Sequence, residues 1–144
     1  MVPPVTRPAD DEYTRLLAFR TGLRQFLRWS EEQAATVGLT SAQHQLLLAI
    51  RGHPDPRGPS VGELADYLCT RHHSAVQLID RTEQLGLIAR NRTDNDDRRV
   101  VRLTLTKTGQ EKLTLLSTTH LDELRRLTTL VNALVDPATA GPTT

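Results

Sequence analysis

Two strand-like segments joined by a charged turn constrain the fold of this chain more than any other feature. Residues 87–92 begin with three apolar side chains and end with arginine, and residues 100–106 form a β-branched, alternating run. The turn between them concentrates acids and arginines, namely Asp94, Asp96, Asp97, Arg98 and Arg99. Strand-forming runs on both sides of a short polar connection are typical of a hairpin. The pattern therefore predicts a β-hairpin with a charged tip.

Two capping boxes precede this hairpin. Thr40 with Gln43, and Ser60 with Glu63, have the spacing at which each side chain bonds the backbone amide of the other residue. We expect helices from these points to about Arg51 and about Leu68. The loop at 52–59 lies between them, because its three prolines and two glycines exclude regular structure.

A further helix is predicted from about His72 to Leu85, where Gly86 suits a left-handed end. With the preceding short helix and the tight turn between them, it forms a helix-turn-helix. We expect Ala75, Val76, Ile79 and Thr82 to face inward. The opposite face carries groups of the kinds that read base edges in a major groove: His73, Ser74, Gln77, Leu78 and Arg81. The composition of this face alone favours a solvated surface, but its place between the turn and the charged hairpin favours DNA contact.

Long amphipathic helices are predicted at both ends of the chain. Apolar residues recur at helical spacing over about 11–36 and about 108–135, and the resulting stripes are too apolar to remain exposed to water. Residues 1–10 contain three prolines and residues 136–144 are rich in Pro, Ala, Gly and Thr, so we expect disorder in both. The length of 144 residues suits a single domain over 11–135.

Composition excludes several classes of protein and of site. The single cysteine, Cys69, rules out a disulfide framework or cysteine-based zinc site within one chain, and we expect it to be a small buried residue rather than a peroxide sensor. The adjacent His72 and His73 point about 100° apart on a helix, so no metal and no cofactor are expected. No catalytic constellation is present, and the chain is not expected to be an enzyme. The absence of a long apolar stretch or a secretory signal predicts a cytoplasmic protein that does not enter a membrane.

Three motifs together resemble the MarR family of transcriptional regulators. Leu39-Thr40-x-x-Gln43 is similar to the opening of that family's second helix, and Asp80-Arg81-x-Glu83-x-x-Gly86-Leu87-Ile88-x-Arg90 to its recognition helix and first wing strand. Asp94-x-x-Asp97-Arg98-Arg99, followed by Leu105-Thr106-x-x-Gly109, resembles the wing. The resemblance covers roughly residues 11–135. It implies a mainly α winged helix-turn-helix at about 40–107, with a small antiparallel β-wing of two or three strands, and dimerisation helices at about 11–36 and 108–135.

The functional implication of this resemblance is a homodimeric repressor on double-stranded DNA, bound at a pseudo-palindromic operator and released by a small-molecule effector. Asp97 would hold Arg99 for insertion into a minor groove; the alternative is a purely structural salt bridge between them. Arg92 and Arg98 are phosphate contacts or simply solvated. The full set of expected DNA-binding residues is Thr70, Arg71, His73, Ser74, Gln77, Arg81, Arg92, Arg98 and Arg99. The expected effector pocket comprises Phe19, Phe26, Trp29, His44 and Leu48. The alternative function is a winged-helix protein-interaction module that does not read DNA.

The chain departs from the family pattern in three places. Thr82 stands where the family usually has leucine, which predicts looser packing of the recognition helix. The proline-rich loop at 52–59 leaves its own relation to the wing sheet open. The short segment after the wing indicates a last helix that is either truncated or merged with its predecessor.

Overall fold

A computed structural model of the protein describes residues 1–92 and 100–135, which form five helices and two strands. In chain order they are α1 Asp10–Thr36, α2 Ser41–Gly52, α3 Val61–Tyr67, α4 His72–Gln84, β1 Ile88–Arg92, β2 Val101–Leu105 and α5 Lys107–Val135. The predicted mainly helical winged-helix class is confirmed. The predicted charged tip and disordered tail lie outside the described residues. The chain divides into two compact units, Met1–Ser30 with Thr119–Thr144, and Glu31–Thr118.

The second unit contains an aliphatic core to which α2, α3, α4 and both strands contribute. The largest fully buried hydrophobic side chains in it are Leu46, Leu47, Leu64, Ile79, Ile88 and Leu103. Burial of one such side chain stabilises the folded state by about 1.5–3 kcal/mol. This core therefore packs the helix-turn-helix against the two strands of the wing.

Both predicted capping boxes are present. The Thr40 hydroxyl accepts from the amide of Gln43 at 3.1 Å, and the Gln43 side chain accepts from the amide of Thr40 at 3.0 Å. Ser60 and Glu63 make the same two bonds, each at 3.2 Å. These four bonds satisfy amides that a helix start otherwise leaves without a partner. They fix the first residues of α2 and α3.

The wing is a two-stranded antiparallel sheet in which Ile88 pairs with Leu105 and Arg92 with Val101. The proline-rich loop runs beside its second strand. The amide of Leu103 donates to the carbonyl of Pro59 at 2.9 Å, and Ser60 forms an isolated bridge with Arg102. The end of the loop therefore pairs briefly with β2. This contact defines the relation of the loop to the wing sheet, which the sequence alone left open.

The turn between α3 and α4 corrects one prediction. Cys69 is exposed, not buried, and its φ of 49° is left-handed. It follows the last residues of α3, and its amide donates to the carbonyl of Asp66 at 3.1 Å. A residue at this helix-ending position points away from the core because the chain reverses there. The prediction of burial followed from residue type alone, and residue type does not report this backbone conformation.

Thr82 occupies the core side of α4, as its position predicted, and is fully buried. Its hydroxyl donates to the carbonyl of Leu78 at 2.7 Å, one helical turn earlier. The buried oxygen is therefore paired within the helix, and threonine at this position leaves no hydrogen bond of its own unmade.

The first unit contains α1 up to Ser30 and α5 from Thr119 onward. The described part of the amino-terminal segment, 1–9, has no helix or strand, and Asp10 already lies in α1, one residue earlier than predicted. The last helix is one continuous α5, so the merged alternative is the one observed. Several large apolar side chains of this unit are exposed in the single chain: Leu16, Leu17, Phe19, Leu23, Leu27, Leu121, Leu124 and Leu130. Within the described ranges no helix is both long and apolar enough to cross a membrane.

Candidate nucleic-acid interface

The exposed face of α4 is the centre of the candidate interface. His73, Ser74, Gln77 and Arg81 are all exposed, whereas Ala75, Ile79 and Thr82 on the other side of the helix are fully buried. The structure therefore brings the four predicted readers together on one solvent-facing stripe. Leu78 differs from them, because it is partly buried and packs against the core. It supports the stripe and does not form part of its exposed edge.

The amino-terminal end of α4 also faces outward. Arg71 is the N-cap residue, and no side chain caps this helix end. The first turn carries no acidic residue. Free amides and the helix dipole make such an end favourable for an approaching phosphate. Thr70 and Arg71, predicted as DNA contacts, are thus placed at the entry to the exposed stripe.

A groove runs along this stripe and includes residues of α2. Its volume is about 450 Å³, and it is lined by Ser41, Ala42, Gln45, Leu68, Thr70, Ser74, Leu78 and Arg81. Gln45 donates to the hydroxyl of Ser41 at 3.0 Å across one helical turn. The sequence interpretation missed these two polar residues. Ser41 and Gln45 are four positions apart in the first turns of α2, and this spacing is the signal that places them on one face of the helix.

Arg81 has one weak internal bond. Its Nε donates to the carbonyl of Gln77 at 3.4 Å, which is long for a hydrogen bond. An acceptor on a base or a phosphate can compete with such a bond at little cost. Arg81 is therefore suited to an external contact.

The wing strand β1 carries two arginines with different surroundings. Arg92 is exposed at the end of the strand. Arg90 donates through Nη2 to Asp80 and through Nη1 to Glu83 at 2.7 Å. The hydrogen bond to Asp80, followed by the negative potential of Glu83 and Asp80, raises the pKa of Arg90 above its ordinary value. The predictions for Asp97, Arg98 and Arg99 lie outside the described residues.

The loop beside the wing is held by ion pairs. Asp55 accepts from Arg57 and lies 3.7 Å from Nη1 of Arg102, which also donates to the carbonyl of Gly58 at 2.9 Å. Hydrogen bonding by the Arg57 side chain lowers the pKa of Asp55 well below its ordinary value. This cluster of charges joins the loop to strand β2 through Arg102.

His53 ties the same loop to α3. Its Nε2 lies 3.1 Å from a carboxylate oxygen of Glu63, and its Nδ1 lies 2.8 Å from the hydroxyl of Tyr67. The pKa of Glu63 is lowered, first by the backbone hydrogen bond from Ser60 and further by His53 and Arg102. The side chain that caps α3 is therefore also in contact with the loop.

The predicted effector residues fall in both units. Phe26 and Trp29 belong to the first unit, where their ring centroids lie 5.9 Å apart and Trp29 lies 4.8 Å from the ring of His120. Phe19, in the same unit, lines a separate apolar cavity of about 60 Å³ together with Leu23 and Leu127. His44 is buried in the second unit, and Leu48 there is exposed.

His120 is the member of this aromatic cluster that the sequence interpretation missed. Its Nε2 lies 2.7 Å from the hydroxyl of Ser30. The two residues are 90 positions apart, so no local pattern indicates the contact. Among the described residues, no group of three His, Cys, Asp or Glu side chains is placed to hold a metal ion.

Comparison with known proteins finds a family model that matches part of the chain and solved structures with a similar fold. The sequence profile of the MarR family matches residues 37–99, a range that includes α2, α3, α4 and β1. No curated protein sequence matches the chain significantly.

Three solved structures illustrate the similarity of fold. The multiple antibiotic-resistance repressor of Listeria monocytogenes is 21% identical, with a TM-score of 0.66 over 92% of this chain and 99% of its own. A MarR family protein of Bacillus stearothermophilus is 24% identical, with a TM-score of 0.67 over 81% and 76%. The DNA complex of Staphylococcus aureus MepR is 16% identical, with a TM-score of 0.67 over 78% of each chain.

Proposed function

We propose that the chain is a transcription regulator of the MarR type, which binds double-stranded DNA sequence-specifically as a homodimer. One observation carries the proposal. The exposed stripe of α4 presents His73, Ser74, Gln77 and Arg81 beside an uncapped, acid-free helix start. Those are the donors and acceptors that reach base edges and phosphates when a helix enters a major groove.

Dimerisation is supported by the apolar surface of the two long helices. Leu16 is 59% exposed and Leu124 is 53% exposed in the single chain. Contiguous exposed apolar patches are uncommon on monomers and mark association surfaces. We assign α1 and α5 to dimerisation and the segment at about 40–107 to DNA binding. A two-fold dimer would then place two α4 helices in successive major grooves, about 34 Å apart on a pseudo-palindromic operator.

The wing contributes the second kind of contact. The resemblance assigns Asp97 the role of orienting Arg99 toward a minor groove, where narrow A·T-rich segments attract arginine. Arg92, exposed on β1, and Arg98 would neutralise phosphates. Arg99→Ala should then weaken operator binding markedly and leave the dimer intact, whereas an unchanged affinity would remove Arg99 from the interface.

Regulation follows from the geometry of a dimer. A repressor is released when a small molecule favours a spacing of the two α4 helices that no longer matches the operator. Such an effector must bind the two spacings with different affinity. The predicted pocket residues are Phe19, Phe26, Trp29, His44 and Leu48, of which Phe26 and Trp29 are in ring contact.

A titration at two salt concentrations tests the proposal. The protein is mixed with duplexes selected from a random-sequence pool and with an unselected duplex, and complexes are followed by fluorescence anisotropy. We expect a preferred duplex whose complex persists at moderate salt, because base contacts add to the salt-sensitive phosphate term. Affinity that disappears uniformly with salt, with no preferred duplex, would support a protein-interaction module instead.

A further inference from the structure

Two acidic residues lie on or beside the face of α4 that is proposed to meet DNA. Asp80 follows Gln77 by three positions and His73 by seven, so helical spacing places it on the same side of the helix. Its side chain is 50% exposed, and that of Glu83 is 37% exposed. A carboxylate brought against a phosphate is repelled, and such like-charge contacts are costly. An interface with this helix at its centre therefore needs these two carboxylates to be paired with a cation that reduces their repulsion.

Arg90 bonds both carboxylates at once. Its Nη2 donates to Oδ1 of Asp80 and its Nη1 donates to Oε1 of Glu83 at 2.7 Å. The side chain is 32% exposed, so the guanidinium lies along the protein surface and is partly covered. Because the planar guanidinium presents donors in a rigid fork, it can hold two acceptors in a way that a lysine cannot.

The two ion pairs of Arg90 also connect two secondary-structure elements. Arg90 lies on β1, two residues before Arg92, and β1 is the first strand of the wing. The two carboxylates lie on α4. The ion pairs therefore join the helix proposed to enter the major groove to the strand that carries the wing arginines.

From these contacts we propose that Arg90 is a positioning residue for DNA binding, acting through Asp80 and Glu83. It bonds both carboxylates on α4, offsets one of their two negative charges and fixes α4 against the wing strand, and it does not itself contact DNA. The inference rests on the proposed DNA-binding function. It separates Arg90 from Arg81 and Arg92, whose guanidinium groups are proposed to meet the nucleic acid directly.

The experiment compares four proteins on one duplex, selected from a random-sequence pool by the wild type. They are the wild type, Arg90→Gln, the triple variant Asp80→Asn/Glu83→Gln/Arg90→Gln, and Arg81→Gln as a direct-contact control. Affinity is measured by anisotropy at several salt concentrations, and unfolding in urea checks that each variant is folded. Because the pairs of Arg90 are partly exposed, the unfolding midpoint of Arg90→Gln is expected to stay close to that of the wild type.

Three results are expected. Arg90→Gln weakens binding by roughly tenfold or more, because two unpaired carboxylates then face the phosphates. The magnitude of the slope of log affinity against log salt falls less for Arg90→Gln, which removes no phosphate contact, than for Arg81→Gln, which removes one contact per protomer and lowers it by about 2 for the dimer. The triple variant recovers most of the lost affinity, because the carboxylates that Arg90 paired with are gone.

Different outcomes overturn different statements. A wild type that prefers no duplex would contradict the proposed function itself. If the wild type prefers its selected duplex and Arg90→Gln binds that duplex with the same affinity, only the role of Arg90 is overturned. A salt slope lowered by Arg90→Gln as much as by Arg81→Gln would make Arg90 a direct phosphate contact, and a triple variant as weak as the single one would remove Asp80 and Glu83 from the explanation.

Discussion

Gly58 lies so close to the backbone of Leu103 that a Cβ atom on Gly58 would sit 1.9 Å from the Leu103 carbonyl oxygen. The φ of Gly58 is 93°, a left-handed value that other residues rarely adopt. The close approach allows the amide of Leu103 to reach the carbonyl of Pro59. Glycine at this position is therefore what lets the proline-rich loop run beside the wing.

We expect Gly58→Ala to destabilise the fold by about 3 kcal/mol or more, since backbone strain and a clash with a backbone oxygen add together. The measurement is the free energy of unfolding in urea. Gly52→Ala is the matched control, because nothing lies within 4 Å of the Cβ position there. It should change stability by no more than about 1 kcal/mol. Equal effects of the two substitutions would contradict the proposed role of the close approach.

Glu63 predicts a defined pH dependence of stability. Its pKa is lowered in the folded protein, first by the backbone bond from Ser60, so the folded state favours the ionised carboxylate. The resulting stabilisation is complete above the unfolded pKa of about 4.3 and is lost as the pH falls through the lower folded value. Because the Glu63 side chain is 43% exposed, solvent screening reduces the size of the effect.

The variant Glu63→Gln isolates this contribution, since glutamine retains the capping-box geometry without the charge. We expect wild type to be more stable than Glu63→Gln near pH 6, and the difference to narrow on acidification below about pH 4. Urea unfolding at a series of pH values measures it. A difference that stays constant over that range would show that the charge of Glu63 contributes nothing.

Arg81 supplies the prediction that most directly tests the α4 face. Replacing it with glutamine should weaken binding of the selected duplex and, if it meets a phosphate, lower the magnitude of the salt slope by about 1 per protomer, or about 2 for the dimer. If it instead meets a guanine, discrimination at one base pair should fall by about 1–3 kcal/mol. Arg57→Gln is the control, because Arg57 is already paired with Asp55 in the loop. Anisotropy titrations that cannot distinguish the two variants would remove Arg81 from the interface.

The sequence predicted those features of the fold that depend on neighbouring residues. Thr40 with Gln43, and Ser60 with Glu63, reveal the helix starts because each capping box is complete within four residues. Gly86 indicated the end of α4 because glycine readily adopts the left-handed conformation that ends a helix, and its φ is 75°. The exposed stripe of α4 followed from helical periodicity together with the position of the turn.

The features that escaped prediction depend on residues distant in the chain or on local backbone geometry. Ser30 meets His120 across 90 positions, and Arg102 meets the carbonyl of Gly58 across 44. Neither contact has a periodic signature. Arg90 was recognised as part of a motif, yet its bridge to Asp80 and Glu83 required the return of β1 alongside α4. Cys69 was misjudged because residue type does not report a left-handed turn.

The exposed leucines of the first unit predict how assembly and DNA binding are coupled. Replacing Leu16 and Leu124 with serine removes apolar area from α1 and α5 without affecting the described interface residues. If these helices form the dimer, the double variant should be monomeric at micromolar concentration by sedimentation. Its apparent affinity for the selected duplex should fall by about 100-fold, because the second half-site then no longer binds as part of one molecule. Leu48→Ser, at an equally exposed leucine on α2 in the other unit, is the control and should remain dimeric. A double variant that stays dimeric would place the association surface elsewhere, and a monomer with undiminished affinity would separate DNA binding from dimerisation.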